Sequence, residues 1–151
     1  EQINFMNNFN YEFTFTNYTP FIIKKNKKIF KKKVIAPESF TYSQFKYNTS
    51  IATSSMIIKK KTIGKIRCPS IKILEDYPFK CKILKDKCSA INIKKNLMFY
   101  RISKNSLQSN KLRNLYWLWY TNKKYNKLTF IKNIMSIIMI SINSIKKYGI
   151  K

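Results

Sequence analysis

Glu75 and Asp76 are the only adjacent acids in the chain, so sequence alone holds two carboxylates together there and nowhere else. Such a pair can share acid and base work or hold a cation. It sits in the turn-like piece Glu75-Asp76-Tyr77-Pro78, and the turn reading is preferred. Histidine is absent, which removes the commonest general base, most catalytic triads and most zinc sites. Cys68, Cys81 and Cys88 form no CxxC pair. They are read as buried free thiols in a reducing compartment, a zinc site completed by another chain being the alternative. Two glycines in the whole chain exclude a phosphate-cradling glycine loop. The expectation is therefore a protein that is not an enzyme, with no cofactor, no metal and no small-molecule substrate.

Charge is the second chemical feature. The 151 residues carry 31 Lys and Arg against 6 Asp and Glu, for a net charge of +25. A body so charged calls for a polyanion nearby. Part of the excess is codon bias: Lys, Asn, Ile, Phe and Tyr have AT-rich codons, and Arg67, Arg101 and Arg113 are the only arginines. The shortage of acids is the better signal, since an average chain of this length holds roughly 15 or more. A carboxylate beside a phosphate is repelled, so phosphate binding explains the shortage. The basic candidates fall into patches: Lys24, Lys25, Lys27, Lys28, Lys31, Lys32 and Lys33; Lys59, Lys60 and Lys61; Arg67; and Lys104, Arg113, Lys123 and Lys124. Trp117, Trp119 and Tyr120 lie among the last of these and could stack on unpaired bases, core packing being the plainer reading.

The elements that would position these groups follow from patterning. Residues 1–33 read as an N-terminal extension, an aromatic arm with a short strand over Tyr11–Tyr18 and then a lysine run. The arm holds two acids and no base before Lys24, and is expected to meet a neighbouring protein. Residues 34–62 read as an irregular linker, and residues 63–151 as a single small domain. Ile71–Leu74, Phe79–Leu84, Cys88–Ile93 and Leu97–Ser103 are short β-prone runs between turn-like pieces. In the second run Phe79, Cys81 and Ile83 alternate with Lys80 and Lys82, predicting one buried and one basic face. Leu112, Leu115, Tyr116 and Trp119 fall at helical spacing. Ile131, Ile134, Met135, Ile138, Ile142 and Ile145 do so too, although Ile138, Ile140 and Ile142 also permit a strand. The fold class expected is α+β, a small antiparallel β-meander with one or two helices. The uncharged stretch from Asn133 to Ile145 is shorter than the roughly 20 apolar residues a bilayer crossing needs, so no transmembrane span is expected.

Three pieces of sequence, in order, resemble the eighth protein family of the small ribosomal subunit. Ile73-Leu-Glu-Asp-Tyr77 looks like its stretch entering the strands, Arg101-Ile-Ser-Lys104 like its following turn, and Ile137–Ser144 like its apolar strand and Ser-rich loop. The sequence departs from that family's pattern at Asn105-Ser106, where Pro-Gly is usual, and lacks its last glycine-rich strand. The resemblance implies that Ser141, Asn143 and Ser144 stand where the family's Ser-rich loop contacts RNA.

The function expected is a structural constituent of the mitochondrial ribosome, bound to rRNA and to neighbouring ribosomal proteins. The location expected is the mitochondrial matrix, and the AT-rich composition points to an organelle genome or a very AT-rich nucleus as the source. The alternative is an accessory subunit of a mitochondrial inner-membrane respiratory or ATP synthase complex, with lysines on lipid headgroups. A DNA-compacting protein is a third reading, and no groove-reading element supports it.

Overall fold

The computed structural model describes residues 1–103 and 110–149. The architecture is α+β, a mixed five-stranded sheet with six α-helices among the described residues. A short helix α1 (Gln2–Asn8) leads into the long strand β1 (Phe13–Lys24), which turns back as β2 (Lys27–Phe30). Lys25 and Asn26 both take positive φ, the twist that a two-residue hairpin between right-handed strands demands. Then come β3 (Ser39–Phe40), α2 (Tyr42–Phe45), β4 (Ile57–Ile58), α3 (Lys60–Ile63) and α4 (Asp76–Asp86). The second long strand β5 (Ala90–Arg101) and the helices α5 (Lys111–Lys124) and α6 (Phe130–Tyr148) complete the described chain.

The sheet runs β2-β1-β5-β3, with β4 paired to the start of β1 beyond the hairpin. β1 and β5 are parallel, from Thr14 opposite Ile91 to Phe21 opposite Arg101. A parallel pair needs a crossover, and residues 25–89 supply it. The expected antiparallel meander is thus replaced by a mixed sheet with a parallel centre. The strand begun at Tyr11 extends to Lys24. Its residues from Phe13 to Tyr18 are all buried, polar ones included, because the strand is covered on both faces. The runs Cys88–Ile93 and Leu97–Ser103 merge into β5, and Phe79–Leu84 lies in α4.

The α4 segment shows why alternation misleads. Tyr77, Pro78, Phe79, Lys80, Cys81, Ile83 and Leu84 are all buried, so the first two turns offer no solvent face and only Lys82, Lys85 and Asp86 towards the end mark one. Pro78 sits in the first turn, where the missing N–H costs nothing. Phe13, Phe15, Phe40, Phe45, Tyr77 and Ile83 form the centre of the core against the sheet. Each such side chain contributes about 1.5–3 kcal/mol on burial.

The last two helices are held by polar groups. The Tyr77 hydroxyl donates to Asn122 Oδ1 at 2.9 Å, and Asn122 Nδ2 donates to Asn133 Oδ1 and Ser136 Oγ, both at 3.0 Å. Ser136 Oγ donates onward to the Lys46 carbonyl at 2.6 Å. Asn122, Asn133 and Ser136 are essentially inaccessible to solvent. This network fixes α5 on α6 and both on α4 and the segment after α2. No helix among the described residues is long and apolar enough to cross a membrane.

Candidate functional site

At the start of α4, charged side chains gather in one hydrogen-bonded cluster. Leu74 adopts a positive φ of 62°, uncommon for a residue with a side chain, and turns the chain into the helix. Glu75 then occupies the N-cap and Asp76 the first turn, where unsatisfied backbone N–H groups favour negative charge. One turn on, Lys80 reaches back to Asp76 Oδ2 at 2.7 Å. The Lys80 side chain is 4% exposed and that of Asp76 28%, so the pair stands at the edge of the core.

Each ammonium proton of Lys80 has a partner. Besides Asp76 it donates to the Ile51 carbonyl at 3.0 Å and to Thr53 Oγ1 at 3.1 Å. The Thr53 hydroxyl in turn donates to Asp76 Oδ2. One buried lysine thereby clamps the 51–53 turn to the head of α4 and fixes the carboxylate in place. Burial pushes the Asp76 carboxyl up, but the Lys80 charge, with hydrogen bonds from Lys80, Thr53 and the backbone, outweighs it and holds the group below its ordinary value. Asp76 is therefore ionised at neutral pH, with both side-chain hydrogen bonds falling on Oδ2.

Two further groups face this cluster. Lys147, near the end of α6, is pulled down to about 8 by burial and by the charge of Lys80. Cys68 feels Asp76 and Glu75: burial first, then these two charges, raise its thiol above the usual value. A cavity of about 400 Å³ lies along α4, with Arg67, Pro78, Lys82, Lys85, Lys124 and Tyr125 in its wall. The fixed, ionised carboxylate and its exposed neighbour Glu75 stand at the head of α4, and the lysine-lined cavity lies further along the helix, with none of Glu75, Asp76 and Lys80 in its wall. Among the described residues no three Cys, Asp or Glu side chains gather into a metal-ligand set.

The residues singled out from sequence lie elsewhere. Lys24, Lys25, Lys27 and Lys28 sit exposed on the β1–β2 hairpin, and Lys31, Lys32 and Lys33 follow it. Lys59, Lys60 and Lys61 surround the start of α3, where Lys59 donates to Asn10 at 2.8 Å and Lys61 pairs with Glu12 at 3.1 Å. Arg67 donates to the Gly64 and Ile66 carbonyls. Arg113, Lys123 and Lys124 are on α5, and Lys104 lies outside the described residues. Trp117 and Tyr120 pack edge to face at 5.5 Å, and Trp119 packs likewise against Phe130 at the entry to α6. Ser141, Asn143 and Ser144 lie within α6, and Asn143 donates to the Tyr47 carbonyl at 3.2 Å. These residues occupy three separate regions: the hairpin, the α3 turn, and the last two helices. A reading of Glu75 and Asp76 as turn residues sets them aside. The signal available for them is their rarity, two of six acids side by side, with a lysine four residues after Asp76.

Comparison with known proteins changes the functional frame. The chain is 28% identical over 147 residues to the glycosyltransferase TuaG of Bacillus subtilis (strain 168), named for teichuronic acid biosynthesis; the match covers 97% of this chain and 58% of TuaG. It is 31% identical over 144 residues to UDP-Glc:alpha-D-GlcNAc-diphosphoundecaprenol beta-1,3-glucosyltransferase WfgD of Escherichia coli, covering 93% of this chain and 55% of WfgD. The chain spans just over half the length of each relative. No family model matches it, and no solved structure matches it.

These likenesses overturn the reading as a ribosomal protein, both as a mitochondrial ribosome constituent and as a member of the eighth small-subunit family. Of the pieces that carried that resemblance, Ile73–Tyr77 enters helix α4 and Ile137–Ser144 is helical. The expectations of a non-enzyme, of no small-molecule substrate, and of rRNA and ribosomal proteins as partners fall with it, since both relatives are named as glycosyltransferases. The mitochondrial matrix and the respiratory or ATP synthase alternative also give way, because the relatives are bacterial glycosyltransferases. Lysine abundance established the sign of the charge and not the identity of the partner.

Proposed function

We propose that this chain forms part of a glycosyltransferase that moves a sugar from a nucleotide-activated donor to an acceptor hydroxyl during surface polysaccharide synthesis. The observation that carries the reading is the match to two glycosyltransferases across more than nine-tenths of the chain. The cluster at the head of α4 supports it chemically. Transfer to a hydroxyl requires a base, and in a chain without histidine a clamped, ionised carboxylate is the natural one.

In this reading Asp76 takes the proton of the acceptor hydroxyl. The acceptor oxygen forms its bond to the anomeric carbon as the bond from that carbon to the donor's phosphate oxygen breaks. The phosphate leaves with the electron pair, and its charge is met by cations. Lys80 holds Asp76 in place and ionised, so it is a positioning residue. Lys82, Lys85 and Lys124 line the cavity further along α4, whose wall does not include Asp76, and suit a diphosphate held away from the reacting atoms, as in a lipid-linked acceptor.

The test is transfer by the intact protein that carries this chain. It is incubated with a panel of nucleotide sugars and GlcNAc-diphosphoundecaprenol, and release of nucleoside diphosphate is followed. Acceptor-dependent release with one sugar nucleotide is expected. Absence of release across the panel and across acceptor hydroxyl classes would overturn the proposal.

A further inference from the structure

α6 carries more apolar surface than its contact with the rest of the molecule covers. The side turned to the rest of the molecule is mixed: Asn133 and Ser136 are fully buried, Asn143 bonds the Tyr47 carbonyl, and Ile137 and Ile140 pack on the core. The opposite side carries Ile131, Ile134, Met135, Ile138, Ile142 and Ile145, which are 71%, 38%, 50%, 51%, 40% and 50% exposed. Their spacing places them on one continuous stripe along 19 residues, about 28 Å of helix. An apolar stripe of that extent marks a surface that something covers.

The charge around it selects the occupant. From Asn110 to Gly149 the chain has no acidic side chain at all. Lys132 and Lys146 are exposed on α6 itself, and Lys123 and Lys127 are exposed at the turn from α5. A second copy of this chain, also at +25, would bring these cations against one another. An anionic lipid surface satisfies both features together, taking the apolar stripe among acyl chains and the lysines among phosphates. The helix is not long and apolar enough to span, which leaves the in-plane arrangement.

We propose that α6 lies in the surface of an anionic bilayer, its Ile/Met stripe immersed and Lys132 and Lys146 on the headgroups. The Asn122–Asn133–Ser136 network, together with Ile137 and Ile140 on the core, is what turns the stripe outward. The inference rests on α6 and its surroundings, so it stands or falls separately from sugar transfer.

The experiment is co-sedimentation of the full chain with phosphatidylglycerol vesicles and, in parallel, phosphatidylcholine vesicles. It compares the natural chain with the double substitution Ile138→Ser and Ile142→Ser, which leaves every charge in place at exposed positions. Binding to phosphatidylglycerol is expected to exceed binding to phosphatidylcholine, and the double substitution should weaken it about tenfold or more with the helical spectrum unchanged. In an Ile138→Trp protein the fluorescence should shift to the blue and be quenched by brominated lipid. Equal binding of the natural and doubly substituted chains would overturn the proposal, because charge alone would then suffice. So would a solution dimer that the double substitution dissociates, or an Ile138→Trp protein whose new indole stays in water on vesicles.

Discussion

Replacing Asp76 by Asn separates the two tasks assigned to this carboxylate. The substitution keeps the shape and one acceptor oxygen but removes the charge that faces Lys80 Nζ at 2.7 Å. Breaking a fully buried ion pair costs about 3–5 kcal/mol. Here Asp76 is 28% exposed, and Lys80 keeps the Ile51 carbonyl and Thr53 as partners, so a loss of about 2 kcal/mol is expected. That figure is read as a shift in the midpoint of urea unfolding followed by circular dichroism. Activity should respond far more strongly. Loss of a general base costs about 100- to 10,000-fold, so transfer should fall by at least about 100-fold in protein that remains folded under assay conditions. Lys80→Met provides the control for position. It destabilises too, yet it leaves the base in place, so its kcat against pH should shift upward on the acid limb as Asp76 loses its stabilising cation. A folded Asp76→Asn protein with transfer within about tenfold of the natural protein would refute the assignment of Asp76 as base.

Three other outcomes follow from the same structure. Asn122→Ala should cost about 2–4 kcal/mol in urea unfolding, because Tyr77, Asn133 and Ser136 lose a shared partner in a buried place. Lys147 has a folded pKa of about 8, below its ordinary 10.5, so the unfolded chain binds more protons between these values and stability rises with pH across that window. Lys147→Met should therefore be more stable than the natural chain by up to about 3 kcal/mol at neutral pH, and the difference should shrink as pH rises through the window. Iodoacetamide should modify Cys68 first, since it is exposed, and Cys88 more slowly, its thiol being pushed up to about 11 by burial and by Glu12. Cys81, buried and pushed up to about 12, should react only on unfolding, as peptide mapping over a time course would show.

Much of the α6 stripe was legible, because Ile131, Ile134, Met135, Ile138, Ile142 and Ile145 recur with the helical period. Which way it faces was not. A period defines a stripe but not its partner, and the polar seam of Asn133, Ser136 and Asn143 reads as a solvent face until Asn122 and Lys46 are seen against it. The β1 strand was visible from the alternation at Tyr11–Tyr18. The two runs that merge into β5 were visible as well, but their parallel pairing with β1, some 70 residues away, was not, since register between distant strands leaves no local mark. Lys80 alternates with apolar neighbours and so reads as part of a basic face. It is buried because Asp76, Thr53 and Ile51 supply a partner for each of its protons. The same contact raises Asp76 from a turn residue to the candidate base. The fold class could be read from patterning, whereas the site depends on a clamp between residues 51–53 and 76–80 that no spacing reveals.

Sugar transfer with Asp76 as its base is tested most directly by mass spectrometry of the acceptor. The intact protein carrying this chain is incubated with a nucleotide sugar and the lipid-linked acceptor, beside the Asp76→Asn protein. An acceptor heavier by one sugar residue is expected with the natural protein and essentially none with the substituted one. An acceptor unchanged in mass with every donor, or extended equally by both proteins, would contradict that mechanism.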